Sequence, residues 1–484
     1  MKDIIERTIP EMQEALVRGE ISSRELAAEY IARIARYDRA EGGLRSVAEL
    51  NPDALFIADF LDQKRAKNQV MGPLHGIPIM LKDNIDTGDK MATTAGSLAL
   101  AHNLPEKDAT IAKKLRDAGA LILGKTNLSE FAYFISTKAP SGYSSRGEQV
   151  LNPYVPGVET PGGSSSGSGV AVAARLCAAA IGSDTCGSIM SPTHRNGLAG
   201  IRPTKGLISC AGVVPISNTM DTVGPMARSV SDLALLMELV AGQDALDVTT
   251  HGTPDSWRYM DALGGSLKGR RIGVNMTGHD GKLMTDDERH AFDALLKLLE
   301  ENGATLVYGV ENLDFDMEYQ PMLDVMECEF AQSLNKYLST SRNSGPRTMA
   351  EILLYNQANP ALMLKYGQDR MMLCNNETTR VQLDTRYLNT LALREREIKK
   401  MNCLFDDNGL DVILRITFST LTPLLGFPSI SIPIGQKSNS APIGSCWIGR
   451  RFDEARMISV VSAVERILDL SLAPELDKHY PELG

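Results

Sequence analysis

The segment from residue 182 to residue 192, GSDTCGSIMSP, holds four side chains that could act as nucleophiles. They are Ser183, Cys186, Ser188 and Ser191. A hydroxyl or thiol becomes strongly nucleophilic at neutral pH when a base takes its proton or its pKa is lowered. The nearest histidine is His194, and its surroundings contain no pattern typical of a Ser-His-Asp triad. The segment therefore leaves open whether any of the four acts as a nucleophile and which residue would take its proton.

A second segment rich in hydroxyl groups, GGSSSGSG, occupies residues 162–169. Its composition would suit a flexible linker, but it runs directly into VAVAARLCAAAIG, which we predict to be a fully buried helix. A phosphate-binding loop would need a lysine after the glycine, and none follows. Residues 163–167 match the G-x-S-x-G nucleophile elbow, but no strand precedes them and the only late histidine, His479, lies in a polar tail. The remaining interpretation is a loop that brings hydroxyls and backbone close to a reacting centre.

The two segments belong to one longer pattern, GGSSSGSGVAVAARLCAAAIGSDTCGSIMSPTHRNGLAGIRPTKG, which resembles the signature of the amidase signature family. The flanking segments PLHGIPIMLKDNIDT, ATIAKKLRDAGALILGKTNLSEFA and GFPSISIPIG resemble further blocks of the same family. The resemblance covers nearly the whole chain and is weakest over residues 315–402. Within the family, TTAGSLAL and TNLSEFAYF are most similar to the peptide-amidase branch.

The resemblance implies a Ser-Ser-Lys triad. Lys82 of LKDN would be the base, Ser164 the bridging serine held in a cis peptide, and Ser188 the nucleophile that forms an acyl-enzyme. A lysine acts as a base only when neutral, and burial lowers the pKa of its ammonium group. Lys82 follows the apolar run IPIML, where burial is expected. The alternative is an ion pair of Lys82 with Asp83 or Asp86.

The backbone around Ser188 is predicted to stabilise the tetrahedral intermediate. Consecutive N–H groups in SDTCGS can converge on one oxygen, and each donor of an oxyanion hole typically contributes about 10²–10³ in rate. A helix that starts near Pro192 would add positive potential. The predicted donors are the N–H groups of Thr185, Cys186, Gly187 and Ser188.

The other reactive side chains of these segments are interpreted as bystanders. Ser183, Ser191 and His194 are assigned to loop and cap positions. Cys186 stands where the family usually has glycine, and Met190 stands where arginine is common. Neither departure touches a triad position.

The elements that must position these residues alternate between helix and strand, which is the α/β pattern. Thr8 and Gly19 are the expected caps of a first helix, and residues 77–81 and 120–123 read as short buried strands. The C-terminal part returns to strands in DVILRI, SISIPIG and APIGSCWIG before a last helix. The resemblance implies the amidase signature fold, a single α/β domain over residues 1–484 with a central mixed β-sheet covered on both faces by helices. Residues 315–402 are predicted to be a helical excursion within that domain.

Composition excludes several classes of partner. The formal net charge of −10 argues against nucleic acid and gives no attraction to an anionic membrane surface. The seven cysteines are widely spread without CxxC spacing, so neither a disulfide framework nor a zinc site is suggested. The first twenty residues lack the apolar core of a signal peptide, so we expect a cytoplasmic protein. No metal or other cofactor is implied, and a homodimer is left open.

The predicted function is hydrolysis of a carboxamide C–N bond in a small-molecule amide, of the primary amide or peptide amide type. The alternative is the amidase component of a glutamyl-tRNA amidotransferase complex, which shares this signature. A non-catalytic binding protein conflicts with the intact triad, and a Cys186 hydrolase lacks the accompanying residues. The substrate pocket is expected near Phe131 and Ala132 and the helical region 315–402. The acyl group of the substrate stays open.

Overall fold

The computed structural model describes residues 4–254, 257–276, 284–310, 319–340 and 345–480. For residues 377–383 it describes the backbone alone. Within these residues, strands form one large sheet and one hairpin-like pair. The strands are β1 (Val47–Leu50), β2 (Pro78–Lys82), β3 (Leu121–Thr126), β4 (Tyr143–Ser144), β5 (Glu148–Gln149), β6 (Ala179–Asp184), β7 (Ala199–Arg202), β8 (Thr222–Ala227), β9 (Arg271–Val274), β10 (Thr305–Val307), β11 (Val412–Arg415), β12 (Ser429–Gln436) and β13 (Pro442–Ile448).

The described chain also contains sixteen α-helices. They are α1 (Ile9–Arg18), α2 (Ser23–Arg33), α3 (Ala54–Ala66), α4 (Thr110–Asp117), α5 (Ser166–Ala173), α6 (Met190–Arg195), α7 (Val230–Val240), α8 (Asp286–Glu301), α9 (Gln320–Thr340), α10 (Met349–Ala358), α11 (Pro360–Met363), α12 (Asp369–Cys374), α13 (Glu377–Asn408), α14 (Leu421–Leu425), α15 (Glu454–Leu468) and α16 (Leu476–His479). No helix of the described residues is long and apolar enough to cross a bilayer.

The large sheet joins strands from both ends of the chain. Over the described residues it has eleven strands in the order β1-β3-β2-β6-β8-β7-β12-β13-β11-β9-β10. β2 pairs in parallel with β3 and β6, and β9 pairs in parallel with β10 and β11. The middle strands β8, β7, β12 and β13 pair antiparallel. With helices flanking this mixed sheet, the predicted single α/β domain is confirmed.

Local sequence signals identified several elements correctly. Thr8 caps α1 with a reciprocal bond to Glu11, and Gly19 ends the helix at a φ of 69°. The predicted strand at 77–81 is β2, and the three C-terminal strands are β11, β12 and β13. The predicted last helix is α15.

The helix predicted for VAVAARLCAAAIG is wrong in its second half. Helix α5 ends at Ala173, the chain turns at Arg175 with a φ of 54°, and β6 begins at Ala179. β6 lies between β2 and β8, and all of its residues are buried. A strand buried on both faces is a continuous apolar run, which periodicity does not distinguish from a buried helix.

The segment predicted as a helical excursion contributes to an apolar cluster that also contains Ile413 of β11. Its described part contains helices α9 to α12 and most of α13, and no strand. Phe330 of α9 contacts the rings of Phe131 and Phe134 edge-on, with centroids 6.4 Å and 5.0 Å apart. This apolar cluster fixes the excursion beside the segment 130–134.

Candidate active site

The last residue of β2, Lys82, is fully buried at the carboxyl end of this strand, which lies between β3 and β6. Its Nζ lies 2.8 Å from Ser164 Oγ and 2.9 Å from Ser183 Oγ. Burial lowers the pKa of Lys82 to about 7, and the negative charges of Asp184 and Asp221 oppose that shift. A substantial fraction of the amine is therefore neutral at physiological pH, which is the state that a general base requires.

The alternative interpretation of Lys82 as an ion-pair partner is wrong. Asp83 instead accepts hydrogen bonds from Thr94 and forms an ion pair with Arg146 at 2.9 Å. Asp86 accepts a hydrogen bond from the Tyr337 hydroxyl at 2.8 Å. Because both carboxylates are occupied elsewhere, Lys82 is free to face the serines.

Ser164 lies in the loop that leads into α5, and its side chain is fully buried. The Gly163–Ser164 peptide bond is cis. The loop passes so close to its neighbours that a Cβ at Gly163 would lie 2.3 Å from the Tyr133 hydroxyl, and one at Gly162 would lie 2.7 Å from Pro192. Glycine is the residue that permits such close backbone approach.

Ser188 lies between β6 and α6 and is only 6% exposed. Its carbonyl accepts a hydrogen bond from the N–H of Ser165 at 3.1 Å, which holds its loop against the residue that follows Ser164. Ser188 also lines a cavity of about 250 Å³. The structure thus brings Lys82, Ser164 and Ser188 to one region beside a space that can hold a substrate.

Ser183 lies in β6 and contacts Lys82, so its assignment to a loop or cap position is wrong. Its hydroxyl accepts hydrogen bonds from Lys82 and, at 3.0 Å, from the Asn84 side chain. With an N–H bond of the neutral amine directed at Ser183, the lone pair of Lys82 can face Ser164. The pairing of Leu81 with Ile181 places Ser183 beside Lys82. The sequence did not reveal this pairing because its pattern predicts a helix where β6 lies.

We expect Ser183→Ala to lower kcat about tenfold with little change in KM, because one hydrogen bond that orients the base is worth about 1 kcal/mol or slightly more. Steady-state kinetics on one amide measures this. The matched control is Ser191→Ala, which removes a hydroxyl outside the contacts of Lys82. Equal loss in both variants would show that Ser183 has no special relation to the base.

Asp184 organises the loop that carries Ser188. Its carboxylate accepts hydrogen bonds from the N–H of Gly187 at 2.8 Å and of Ile189 at 2.6 Å, and it pairs with Arg202 at 2.7 Å. The prediction that Gly187 contributes to the oxyanion hole is therefore wrong, because its N–H is already bonded. Among the described residues, no acceptor bonds the N–H groups of the other three predicted donors, Thr185, Cys186 and Ser188.

We expect Asp184→Asn to lower the free energy of unfolding by about 3–5 kcal/mol, since removing one partner of a buried ion pair leaves the other charge uncompensated. Asp184 and Arg202 have side-chain exposures of 0% and 1%. Urea unfolding followed by circular dichroism measures the change. Asp261→Asn, in an exposed ion pair with Arg258, is the matched control and should leave the midpoint nearly unchanged. A similar shift in both variants would contradict the assignment.

Only one of the two predicted pocket residues lines the cavity beside Ser188. Ala132 lines it, together with Tyr133, Tyr319 and Arg370. Phe131 does not: its side chain is buried in the apolar cluster around Phe330, so the prediction for Phe131 is wrong. Adjacent positions of a tight left-handed turn, with φ of 46° and 50°, carry the two side chains to different surroundings.

Cys186 also lines the cavity, but its environment does not favour a nucleophile. Burial raises the pKa of the Cys186 thiol to about 12, so the thiolate is scarce at neutral pH. Its Sγ lies 3.2 Å from Sδ of Met322. His194 lies on α6 with its ring against Gly444, and it does not line this cavity. No cluster of three or more His, Cys, Asp or Glu side chains suited to a metal ion occurs in the described ranges.

Comparison with protein families supports what this geometry suggests. The Amidase family model matches residues 25–428. The chain belongs to the Amidase family. A probable amidase of Arabidopsis thaliana is 35% identical over 96% of this chain and 90% of its own length. The matching component of the glutamyl-tRNA(Gln) amidotransferase of Prochlorococcus marinus is 31% identical over 96% of this chain and 98% of its own length.

Solved structures agree. The peptide amidase of Stenotrophomonas maltophilia matches with a TM-score of 0.89 and 35% identity, covering 98% of this chain and 99% of that one. An amidase family protein of Bacillus anthracis matches with a TM-score of 0.90 and 32% identity, covering 98% and 93%. The chain is thus an amide-hydrolysing enzyme that resembles the peptide-amidase branch of its family.

Proposed function

We propose that the enzyme is a serine amidohydrolase that cleaves carboxamide C–N bonds through an acyl-enzyme on Ser188. The observation that carries the proposal is the 2.8 Å contact between Lys82 Nζ and Ser164 Oγ, made by a fully buried lysine whose pKa is lowered to about 7. A neutral amine hydrogen-bonded to a serine hydroxyl is a base–relay pair. The carbonyl of Ser188 accepts a hydrogen bond from the N–H of Ser165, the residue that follows Ser164 in the chain.

The reaction follows from these positions. Lys82 takes the hydroxyl proton of Ser164. Ser164 in turn takes the hydroxyl proton of Ser188 as the Ser188 oxygen attacks the amide carbonyl carbon. The N–H groups of Thr185, Cys186 and Ser188 stabilise the resulting oxyanion. The relay then returns the proton to the nitrogen of the leaving amine, and the C–N bond breaks. Water attacks the acyl-enzyme by the same proton route and releases the acid.

The substrate is proposed to be a primary amide or a peptide amide. Similarity to the peptide amidase supports this, and so does the space around Ser188. A second cavity of about 570 Å³ shares Ala132, Thr185 and Ile216 with the first and reaches Ser183. The substrate chain can therefore extend from the reacting carbonyl in more than one direction.

A second candidate is the amidase component of a glutamyl-tRNA amidotransferase, favoured by identity of 31–33% to components of this kind over nearly the whole chain. The solved amidotransferase component of Thermotoga maritima matches less closely, with a TM-score of 0.71 and 26% identity. The peptide amidase matches better on both measures. The fold is thus more similar to the peptide amidase than to the amidotransferase component, which supports the hydrolase.

One experiment tests the proposal and separates the candidates. The purified chain is incubated without partners with primary amides, peptide amides and anilides, and released amine or ammonia is measured. The proposal expects turnover by the chain alone that disappears in Ser188→Ala. Turnover that appears only when the other components of an amidotransferase are added would favour the second candidate.

A further inference from the structure

We infer that Arg370 selects substrates whose acyl portion carries an anionic group, a carboxylate above all. The inference rests on the proposed function and names the substrate class of the same site. Arg370 lies on α12 and lines the cavity into which Ser188 opens. Among the described residues that line this cavity, it is the only charged one.

The guanidinium of Arg370 has no hydrogen-bond acceptor or ion-pair partner in the described parts of the chain. Its Nε is enclosed and without an acceptor. The group lies over the ring of Phe134, with 5.3 Å from Cζ to the ring centroid. This contact stabilises a cation but satisfies none of its N–H donors. The donors are therefore available to a ligand.

The neighbouring acid, Glu327, forms no ion pair with Arg370 in the described structure. Arg370 acts electrostatically on Glu327, but the described structure contains no hydrogen bond or ion pair between the two side chains. Burial raises the pKa of Glu327, and Arg370 only partly opposes that shift. A guanidinium left unpaired in a narrow cavity favours a ligand that restores both charge balance and hydrogen bonds.

The backbone of Arg370 is held at the cavity wall. The adjacent Asp369 accepts hydrogen bonds from the Ser136 and Thr137 hydroxyls at 2.5 Å and 2.6 Å, and both of those residues line the cavity. The start of α12 is thereby tied to the segment that forms the neighbouring part of the wall. A planar guanidinium positioned in this way can bind a carboxylate through two parallel hydrogen bonds.

The test uses two substrates of the same shape that differ in one charge, N-acetylglutamic acid α-amide and N-acetylglutamine α-amide. Mass analysis of the products identifies which amide is cleaved. We expect the wild type to favour the acidic substrate about tenfold to hundredfold in kcat/KM, as for a charged hydrogen bond. In Arg370→Gln this preference should disappear because kcat/KM falls for the acidic substrate and stays unchanged for the neutral one. Arg370→Lys should keep part of it, and Arg258→Gln, an exposed arginine, should keep all of it.

The outcomes separate the inference from the proposed function. No preference in the wild type, or an equal loss for both substrates in Arg370→Gln, overturns the role of Arg370 while Ser188-dependent hydrolysis still stands. If neither α-amide is cleaved, calorimetric binding of both to Ser188→Ala decides the matter. The inference is supported if Ser188→Ala binds the acidic amide more tightly than the neutral one and the double variant with Arg370→Gln does not. Equal binding of the two amides to Ser188→Ala overturns it.

Discussion

Replacing Ser188 with alanine should abolish amide hydrolysis while the protein stays folded. The hydroxyl is the proposed nucleophile, and loss of a nucleophile from a linked catalytic set costs about 10⁴–10⁶ in kcat. Alanine fits the space of the nearly buried serine, and the Ser188 carbonyl that holds the loop remains. Turnover of one amide measures the loss, and circular dichroism with urea unfolding verifies the fold.

The matched control is Cys186→Ala, two residues away on the same loop and lining the same cavity. Because burial raises the pKa of this thiol to about 12, its removal should leave most activity. Its N–H, a proposed oxyanion donor, is unaffected by the substitution. Equal inactivation of both variants would mean that the nucleophile has been misassigned.

The sequence was sufficient to predict the family, the fold and the approach of Lys82 to Ser164. A long signature fixes spacing within one loop system, and capping residues or alternating apolar runs mark individual elements, as at Thr8 and in β11 to β13. What it could not provide was the pairing between distant strands. The contact of Ser183 with Lys82 depends on the register of β6 against β2, and β6 itself is indistinguishable from a buried helix by pattern.

Two further predictions failed for different physical reasons. The N–H of Gly187 is not available to an oxyanion because it donates a hydrogen bond to the Asp184 carboxylate. The spacing of residues in the signature does not reveal this bond. Phe131 lost its predicted role because the adjacent left-handed positions direct it into the apolar cluster with Phe330, which lies about two hundred residues later in the chain. The Phe131 contact depends on tertiary packing, whereas the Asp184 contact depends on the detailed conformation of one loop.

Replacing Lys82 should have the second largest effect. Lys82→Ala removes the proposed base, and general base catalysis contributes about 10²–10⁴ in rate. Lys82→Arg should restore little, because a guanidinium stays protonated throughout the accessible pH range. In the wild type, the pKa of Lys82 is lowered to about 7, so the amine is protonated and inactive below that value and neutral above it. Activity should therefore rise through pH 7 and stay high under alkaline conditions, and the rising limb should be absent from Lys82→Ala.

The pH profile alone does not identify the base, because an ordinary histidine titrates near pH ~6.5. His194→Ala separates the two: with Lys82 as base, this variant keeps both the rate and the rising limb. A limb that vanishes in His194→Ala but survives in Lys82→Ala would overturn the Ser-Ser-Lys assignment. The structure favours the lysine, because Lys82 Nζ contacts the Ser164 hydroxyl at 2.8 Å, whereas His194 packs on Gly444 away from the cavity. Lys82 contacts the relay directly, so its titration is expected to set the pH at which Ser188 becomes nucleophilic.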